Sequence, residues 1–513
     1  MNDGQWDLEV NGQPVRVDDP SATLLAVLRD QLGLSSVKDG CSPQGQCGCC
    51  TVLVDGQPRV SCVTPARRIR GRSVTTVEGL DASVRAAWGE AFASVGGSQC
   101  GFCTPGIICR FEGLRAKAIG PDDHVRVRDA LLAHLCRCTG WQTVLDAWSA
   151  YGTPVSVQTG SDSEARASLE GRTPQTVGPQ VALGDGGFAD DGAPPDALVA
   201  VPMASGDGWA VGETRAEAVA ASGKVQGRRT AVDFDPPIAL PDGTFDVVLQ
   251  THWVEPGYLE TDASWCVPGG EPASILGNGG AFGGKTDEHL GAVARRLADE
   301  YGRPVRVLFA REDVVRGGPK RPPIAAGVNA DGTGVLRVAR TPGISEIIAR
   351  VAPEVIVEEV PCPGPPTSAA IRGAGWLEAL VVLAAARDDH GWLGAPDGGS
   401  AIATVEADGS LAIQVRAGQP LDPVVLRSYC IGAAHMGLSL VRSESLSVAP
   451  DGEIHDLTIR SFGILRAVDT PHIDVEIVAD DGPPVNGSDA VMAAVAVAAW
   501  RHAGLPPRWP VGI

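Results

Sequence analysis

The placement of cysteine constrains this chain more than any other feature. Ten of its 13 cysteines fall within the first 138 of 513 residues: Cys41, Cys47, Cys49, Cys50, Cys62, Cys100, Cys103, Cys109, Cys136 and Cys138. Only Cys266, Cys362 and Cys430 follow. A disulfide scaffold needs a higher density and an even number, so this crowding points to metal or redox work by thiolates. The front of the chain must therefore fold in a way that gathers sulfur.

Two groups stand out. The first reads Cys41-Ser-Pro-Gln-Gly-Gln-Cys47-Gly-Cys49-Cys50, followed later by Cys62. Gly45 and Gly48 allow the backbone to bend tightly around a cofactor and aim amides at the sulfurs. The spacing is close to the plant-type [2Fe–2S] pattern C-x4-C-x2-C with a distant fourth cysteine. Cys47, Cys50 and Cys62 keep that pattern, whereas Cys41 lies one residue further ahead of Cys47 than it requires. Cys49 is left as a spare, expected to point away from the loop centre. The second group is Cys100-Gly-Phe-Cys103 ahead of one helix and Cys136-Arg-Cys138 after another. Two facing helix ends can converge four sulfurs. Cys-x-Cys is too tight for a zinc-ribbon knuckle, yet a structural zinc site shares four-thiolate geometry and is the competing reading of the first group. Cys109 falls inside a helix, where packing is its expected role.

The surrounding pattern supplies a frame for these groups. Residues 6–17 alternate with period two around Asn11-Gly12 and read as a hairpin. Ser21–Leu32 reads as an amphipathic helix capped by Ser21, and Thr51–Val54 as a strand before Asp55-Gly56. Together they make a small α+β domain over 1–76. Residues 77–151 turn helical, with Ala82–Ser94, Pro105–Ala116, Pro121–Cys136 and Trp141–Tyr151 as four candidate helices. Residues 152–187 are rich in Gly, Ser, Thr, Gln and Pro without periodicity and read as a linker. Two further α+β regions, 188–388 and 389–513, contain the helices Glu288–Tyr301, Trp376–Ala386 and Asp489–His502.

Composition narrows the partners. The chain is 44% apolar and 20% charged, as folded domains are, and its formal charge of −20 argues against nucleic acid or an anionic membrane surface. That charge is compatible with docking onto a basic partner. No window reaches 18 consecutive apolar residues, so no membrane span is expected. Met1–Leu8 is polar and acidic, unlike a signal peptide, which gives a cytoplasmic expectation.

The two cysteine groups resemble the iron–sulfur portion of the xanthine dehydrogenase, aldehyde oxidase and CO dehydrogenase family, the molybdenum hydroxylases. Cys100-Gly-Phe-Cys103-Thr-Pro-Gly106 and Cys136-Arg-Cys138-Thr-Gly-Trp141 match that family's two helical-domain motifs, and residues 3–151 resemble it throughout. The resemblance implies a β-grasp ferredoxin-like [2Fe–2S] domain holding its cluster through Cys41, Cys47, Cys50 and Cys62. It implies a four-helix [2Fe–2S] domain holding a second through Cys100, Cys103, Cys136 and Cys138, with Gln99 near the pterin. Later segments resemble the family's molybdopterin-binding subunit in family order. Gly279-Gly280-Ala281-Phe282-Gly283-Gly284-Lys285 is similar to the G-G-x-F-G-G-K loop beside molybdenum, His252–Pro256 to the Glu-Pro stretch, and Ala370–Gly375 to the segment whose Arg, here Arg372, lies near the active site. Arg427–Leu438 resembles a late helix, with His435 where Gln is common.

Departures shape the expected function. The family's G-x-G-Q-G segment and Ser/Gly/Arg/Gln-rich cofactor loop have no counterpart near 388–400, and the region between Pro194 and Thr230 is short. Gly482 stands where the family has its catalytic Glu, and Asp481, beside it, is the substitute candidate. No flavin domain or GxGxxG fingerprint follows the iron–sulfur part. The resemblance thus implies an electron-transfer component with two [2Fe–2S] clusters, and molybdopterin in the chain only if Gly280, Phe282, Gly283 and Arg372 hold it. Partners would be separate FAD-binding and molybdenum-binding subunits, with a small-molecule substrate reached only through the complex. A minimal molybdenum hydroxylase acting on an aldehyde, purine or N-heterocycle is one alternative, and a non-enzymatic redox sensor or assembly factor is another.

Overall fold

The computed structural model describes residues 7–19, 21–154, 157, 159–225, 232–285 and 289–512. Trp6, the first residue of the expected hairpin, Glu288, the first of an expected helix, and residues 226–230 of the shortened region lie outside that set. The fold is α+β.

Asp7–Val10 alternates exposed and buried positions, which puts Leu8 and Val10 into the core. It turns back at Asn11-Gly12, where both residues have positive φ (52° and 77°), the geometry of a tight hairpin turn. The resulting five-stranded sheet runs Gln13–Arg16, Asp7–Val10, Ser73–Thr75, Thr51–Val54, Gln57–Val60. Thr51–Val54 is buried at every position. The helix packed on this sheet starts at Leu24 rather than Ser21. Thr23 caps it by accepting from the Ala26 amide at 3.2 Å, while Ser21 donates to Asp19.

The helical domain contains Ala82–Ser94, Thr104–Arg115, His124–Ala130 and Gln142–Ala150. Its core is a ring cluster of Trp88, Phe92, Phe111 and Trp148 with centroids 5.1–6.2 Å apart. The third helix is shorter than the expected 121–136. It stops in a single tight turn, Leu131–Ala133, and His134 is extended, so that the Leu135 amide donates to Cys47 O at 2.9 Å. Pairing with the first cysteine loop outweighs helix continuation here.

The stretch 152–187 departs from its reading as a linker. Ser161–Gly171 is a helix that buries Ser163, Arg166, Ala167 and Glu170, and Pro179–Ala182 forms another turn of helix. The buried stripe has helical spacing but is mostly polar, so a search for apolar periodicity passes over it.

Three four-stranded sheets follow. Leu198–Pro202 and Val305–Leu308 pair in parallel in the first, with the helix His289–Tyr301 against it. The second is built on Ile324–Val328 and Gly334–Ala339, and the third on Ser400–Val405 and Leu411–Arg416. The core does not part at 388/389, because Trp376–Ala386, Pro423–Arg442 and Ser488–His502 share one apolar cluster with both of these last sheets. Pro423–Arg442 is long and apolar enough to cross a membrane by composition, with a mean hydropathy of 1.4, but 89% of that window is buried within the fold. Leu446–Ala467 returns to pack on the front domains.

Candidate metal centres

The first loop brings Cys41, Cys47, Cys50 and Cys62 together, each no more than 2% exposed. Cys41 lies within hydrogen-bond reach of Cys47 and Cys62, and Cys62 of Cys50. Gly45 and Gly48 both take positive φ (71° and 72°), the bend expected of them. The Gln44 amide donates to Cys41 Sγ at 3.1 Å and the Cys62 amide to Cys50 Sγ at 3.4 Å. Such donors offset thiolate charge.

The second set forms where the two motifs face each other. Cys100 Sγ is 3.6 Å from Cys138 Sγ, and Cys103 is within hydrogen-bond reach of Cys136. Thr139 Oγ1 lies 3.0 Å from Cys136 Sγ. The sulfurs of the second set thus form two close pairs, Cys100–Cys138 and Cys103–Cys136, which suits two irons each taking two thiolates, while those of the first run in a chain from Cys47 through Cys41 and Cys62 to Cys50. Hydrogen bonds from Cys47 and Cys62 hold the Cys41 thiol well below its usual value, and one from Cys103 brings Cys136 down to about 7. The same shared hydrogen bonds raise the partner thiols, Cys47 and Cys62 in the first set and Cys103 in the second.

The two sets adjoin through backbone. A Cβ at Gly106 would stand 2.4 Å from Gly48 O and 2.8 Å from Cys49 O, and one at Gly48 would stand 2.6 Å from His134 Nδ1. Glycine at both positions lets the first loop lie flat against the start of the helix Thr104–Arg115. Cys49 is fully buried at this junction, its Sγ 3.8 Å from Cys47 O. Cys109 is buried in its helix, as expected, and desolvation pushes its thiol up.

Comparison with known proteins decides the family. Residues 8–74 match the 2Fe–2S iron–sulfur cluster binding domain and residues 76–149 the [2Fe–2S] binding domain. Caffeine dehydrogenase subunit gamma of Pseudomonas sp. (strain CBB1) is 39% identical over 148 residues, covering 27% of this chain and 86% of that protein. The nicotinate dehydrogenase small FeS subunit of Eubacterium barkeri is 37% identical over 143 residues, covering 28% of this chain and 90% of that protein. The chain belongs to the molybdenum hydroxylase family. Its kinship runs through the iron–sulfur portion, and its two cluster-binding domains make it an oxidoreductase chain built for electron transfer. The structure of the aldehyde oxidoreductase from Desulfovibrio desulfuricans aligns over 97% of this chain and 97% of that one, with a TM-score of 0.66 and 15% identity, a likeness of fold alone.

The residues expected to face a pterin are brought close together but are committed to one another. Gln99 donates to Cys138 O and Ser428 Oγ, both at 3.0 Å. The Gly279–Gly284 loop lies directly on the second cysteine set, where a Cβ at Gly280 would be 3.1 Å from Cys100 Sγ. At Gly279 a Cβ would meet Gln175 Nε2 at 2.2 Å, and Tyr429 donates to the other end of that amide. Phe282 O accepts from the Arg372 amide at 3.0 Å, and Gly283 leaves room only for Ala370 O. The Arg372 guanidinium donates to Asp489 Oδ1 at 2.7 Å, to Met436 Sδ at 3.5 Å and to Ser488 Oγ. Arg172 takes the other Asp489 oxygen.

Glu170 completes this network. Its carboxylate accepts from the Gly487 and Ser488 amides at 3.1 and 2.9 Å, at the start of the helix Ser488–His502, and pairs with Arg166 at 3.2 Å. The space left between the second cysteine set, Gly279, Gly280, Glu260 and Lys285 is about 10 Å³, room for no more than a water. That gap is too small for a pterin, while a separate cavity of about 160 Å³ opens beside Gln99, lined by Gly96, Gly178, Ser428 and Tyr429. Asp481 is exposed on the surface and is not brought to buried Arg372 or to Phe282. His435 is fully buried with Nε2 3.1 Å from Leu465 O, and desolvation lowers it to about 3. Arg166, Glu170, Gln175 and Asp489 were invisible to motif reading because they act as structural partners to the motif residues.

Proposed function

We propose that this chain is the iron–sulfur electron-transfer component of a molybdenum-hydroxylase-type oxidoreductase. Electrons pass from a molybdenum site to a flavin or other acceptor through two [2Fe–2S] clusters, one held by Cys41, Cys47, Cys50 and Cys62 in residues 1–76. The other is held by Cys100, Cys103, Cys136 and Cys138 in residues 77–151. A bound [2Fe–2S] cluster supplies a one-electron acceptor. The chain's own residues do the rest. The thiolates ligate, the Gln44 and Cys62 amides offset their charge, and burial keeps water out. The Leu135 amide, next to Cys136, donates to Cys47 O at 2.9 Å and gives a short hydrogen-bonded path between the two centres, with Gly48–Cys49 packed against Gly106 and His134 beside it. That contact carries the reading, because two buried four-cysteine sets joined in this way suit relay better than storage.

Molybdenum and flavin belong to separate subunits on this reading, and the small-molecule substrate is met there. The Arg372 guanidinium held by Asp489 and Ser488, and the exposed Asp481, support the assignment of substrate chemistry to a partner. The names of the two relatives, one a gamma subunit and the other a small FeS subunit, agree with a multi-subunit setting. Metal analysis of the purified chain tests this. About four iron atoms per chain, two distinct EPR signals on reduction and no molybdenum are expected. Stoichiometric molybdenum, or zinc in place of iron, refutes it.

A further inference from the structure

The chain is acidic overall, yet the stretch that follows the first cysteine loop is not, although Asp7, Glu9 and Asp55 lie against its far end. Between Gly56 and Val77 there are five arginines and no acidic residue. Arg59 is exposed on Gln57–Val60, the edge strand of the ferredoxin-like sheet. Arg67 and Arg68 are exposed on the short turn Ala66–Ile69, whose Ala66 and Ile69 face the core, and Arg70 is exposed beyond it. Among the described residues none of these four makes an ion pair, whereas Arg72 is matched by Asp55 at 2.6 Å. Glu78, the next acid along the chain, is taken by Ser36 and Thr76.

This basic rim frames a thin apolar cover. Val63 follows Cys62 directly, is 55% exposed, and lies against Gly45, where a Cβ would meet it at 3.0 Å. From the far lobe Arg460 donates to Gln46 O at 2.9 Å and adds a positive charge that feels Cys41 and Cys47. Pro43 and Val63 are thus the exposed residues nearest in sequence to Cys41 and Cys62, and Val63 shares its segment with four arginines that make no ion pair among the described residues.

We propose that this rim is the docking face for a small acidic one-electron redox protein, seated over Val63. The inference rests on the electron-transfer reading above and reverses what net charge alone suggests about the partner. On transfer the reduced first centre loses one electron and the partner's prosthetic group gains it, with no bond made or broken. Two fields oppose each other. The net charge of −20 repels an acidic partner at long range, while the rim attracts it at short range. The screening length is roughly 30 Å at 0.01 M salt and about 10 Å at 0.1 M, so modest salt removes the repulsion first. The rate therefore rises and then falls as salt is added.

The full chain, reduced with dithionite and freed of excess, is mixed by stopped flow with acidic cytochrome b5, with basic cytochrome c, and with uncharged benzoquinone. The expected result is a salt maximum for cytochrome b5. The double variant Arg67→Glu/Arg68→Glu slows that reaction about tenfold near 0.1 M salt and leaves only the rising limb. It speeds cytochrome c and leaves benzoquinone unchanged, and Arg59→Glu acts in the same direction. Unaltered visible and EPR spectra show that the variants are folded. A cytochrome b5 rate within about twofold of the parent chain overturns the proposal, as does rim-dependent retention on duplex DNA. Failure of all three oxidants, benzoquinone included, overturns the electron-transfer reading itself.

Discussion

Replacing Glu170 by Ala tests whether residues 161–171 are an integral part of the core. Glu170 is 3% exposed and its side chain ties two elements through three groups: Arg166 on its own helix and the Gly487 and Ser488 amides that open the helix Ser488–His502. The substitution leaves two helix-end donors without acceptors and strands a guanidinium that is 0% exposed. Breaking a buried pair from one side costs about 3–5 kcal/mol. Arg166 keeps carbonyl partners at Pro420 and Val485, which places the expected loss at about 3 kcal/mol, the low end. Urea titration of the purified chain, followed by tryptophan fluorescence, reads it, with the iron–sulfur absorbance recorded in parallel. Arg166→Met/Glu170→Met removes both charges, so its cost should fall well short of the sum of the single changes. A Glu170→Ala loss below about 1 kcal/mol, or additive single changes, would refute the integrated-helix view.

Other expectations follow from the same contacts. Brief trypsin treatment of the native chain should leave the bond after Arg166 uncut, since that residue is fully buried; rapid cleavage there would restore the linker reading. Gly48→Ala places a Cβ 2.6 Å from His134 Nδ1 at a φ of 72° and should abolish the first-centre EPR signal or lower iron content by about half, measured by metal analysis. Stability should fall on acidification, because burial, and then Arg137, lower His435 to about 3 against an ordinary value of 6.5. Below pH 6.5 the unfolded chain takes up a proton that the folded chain refuses, costing about 1.4 kcal/mol per pH unit until pH 3. His435→Gln should reduce, but not abolish, the dependence of urea midpoint on pH between 7 and 5, since burial holds His134 and His252 down as well; an unchanged slope would refute the contribution of His435.

Legibility followed chemistry that repeats in sequence. The hairpin at Asn11-Gly12, the helix Ala82–Ser94 and the Cys100–Gly106 and Cys136–Trp141 motifs were readable because turns, apolar period and thiol spacing are local signals. The end of the third helix was not, since the Leu135 amide leaves it for Cys47 O, a partner 88 positions earlier. The helix Ser161–Gly171 escaped for a different reason. Its buried face is Ser163, Arg166, Ala167 and Glu170, so its period is carried by polar groups whose partners, Asp422, Gln419, Gly487 and Ser488, lie at the other end of the chain. The family loop at Gly279–Lys285 was legible as a loop, but sequence could not tell that Gln175 stands against it.

The network around Arg372 has a physical logic of its own. A buried guanidinium and the start of a buried helix are both donors, and neither tolerates the interior without an acceptor. Where a fold provides such donors, something negative or polar must meet them: a ligand, water, or the chain itself. Here Asp489, 1% exposed, meets Arg372, and Glu170 meets the amides of Gly487 and Ser488, so both demands are answered by carboxylates of the same polypeptide. A ligand entering this place would have to displace three ion pairs, those of Glu170 with Arg166 and of Asp489 with Arg172 and Arg372. The same carboxylates that close the site also fasten residues 161–172 to the last helix. Opening it would therefore require unfastening the segment that joins the two cysteine sets to the rest of the chain, and not the swing of a single loop.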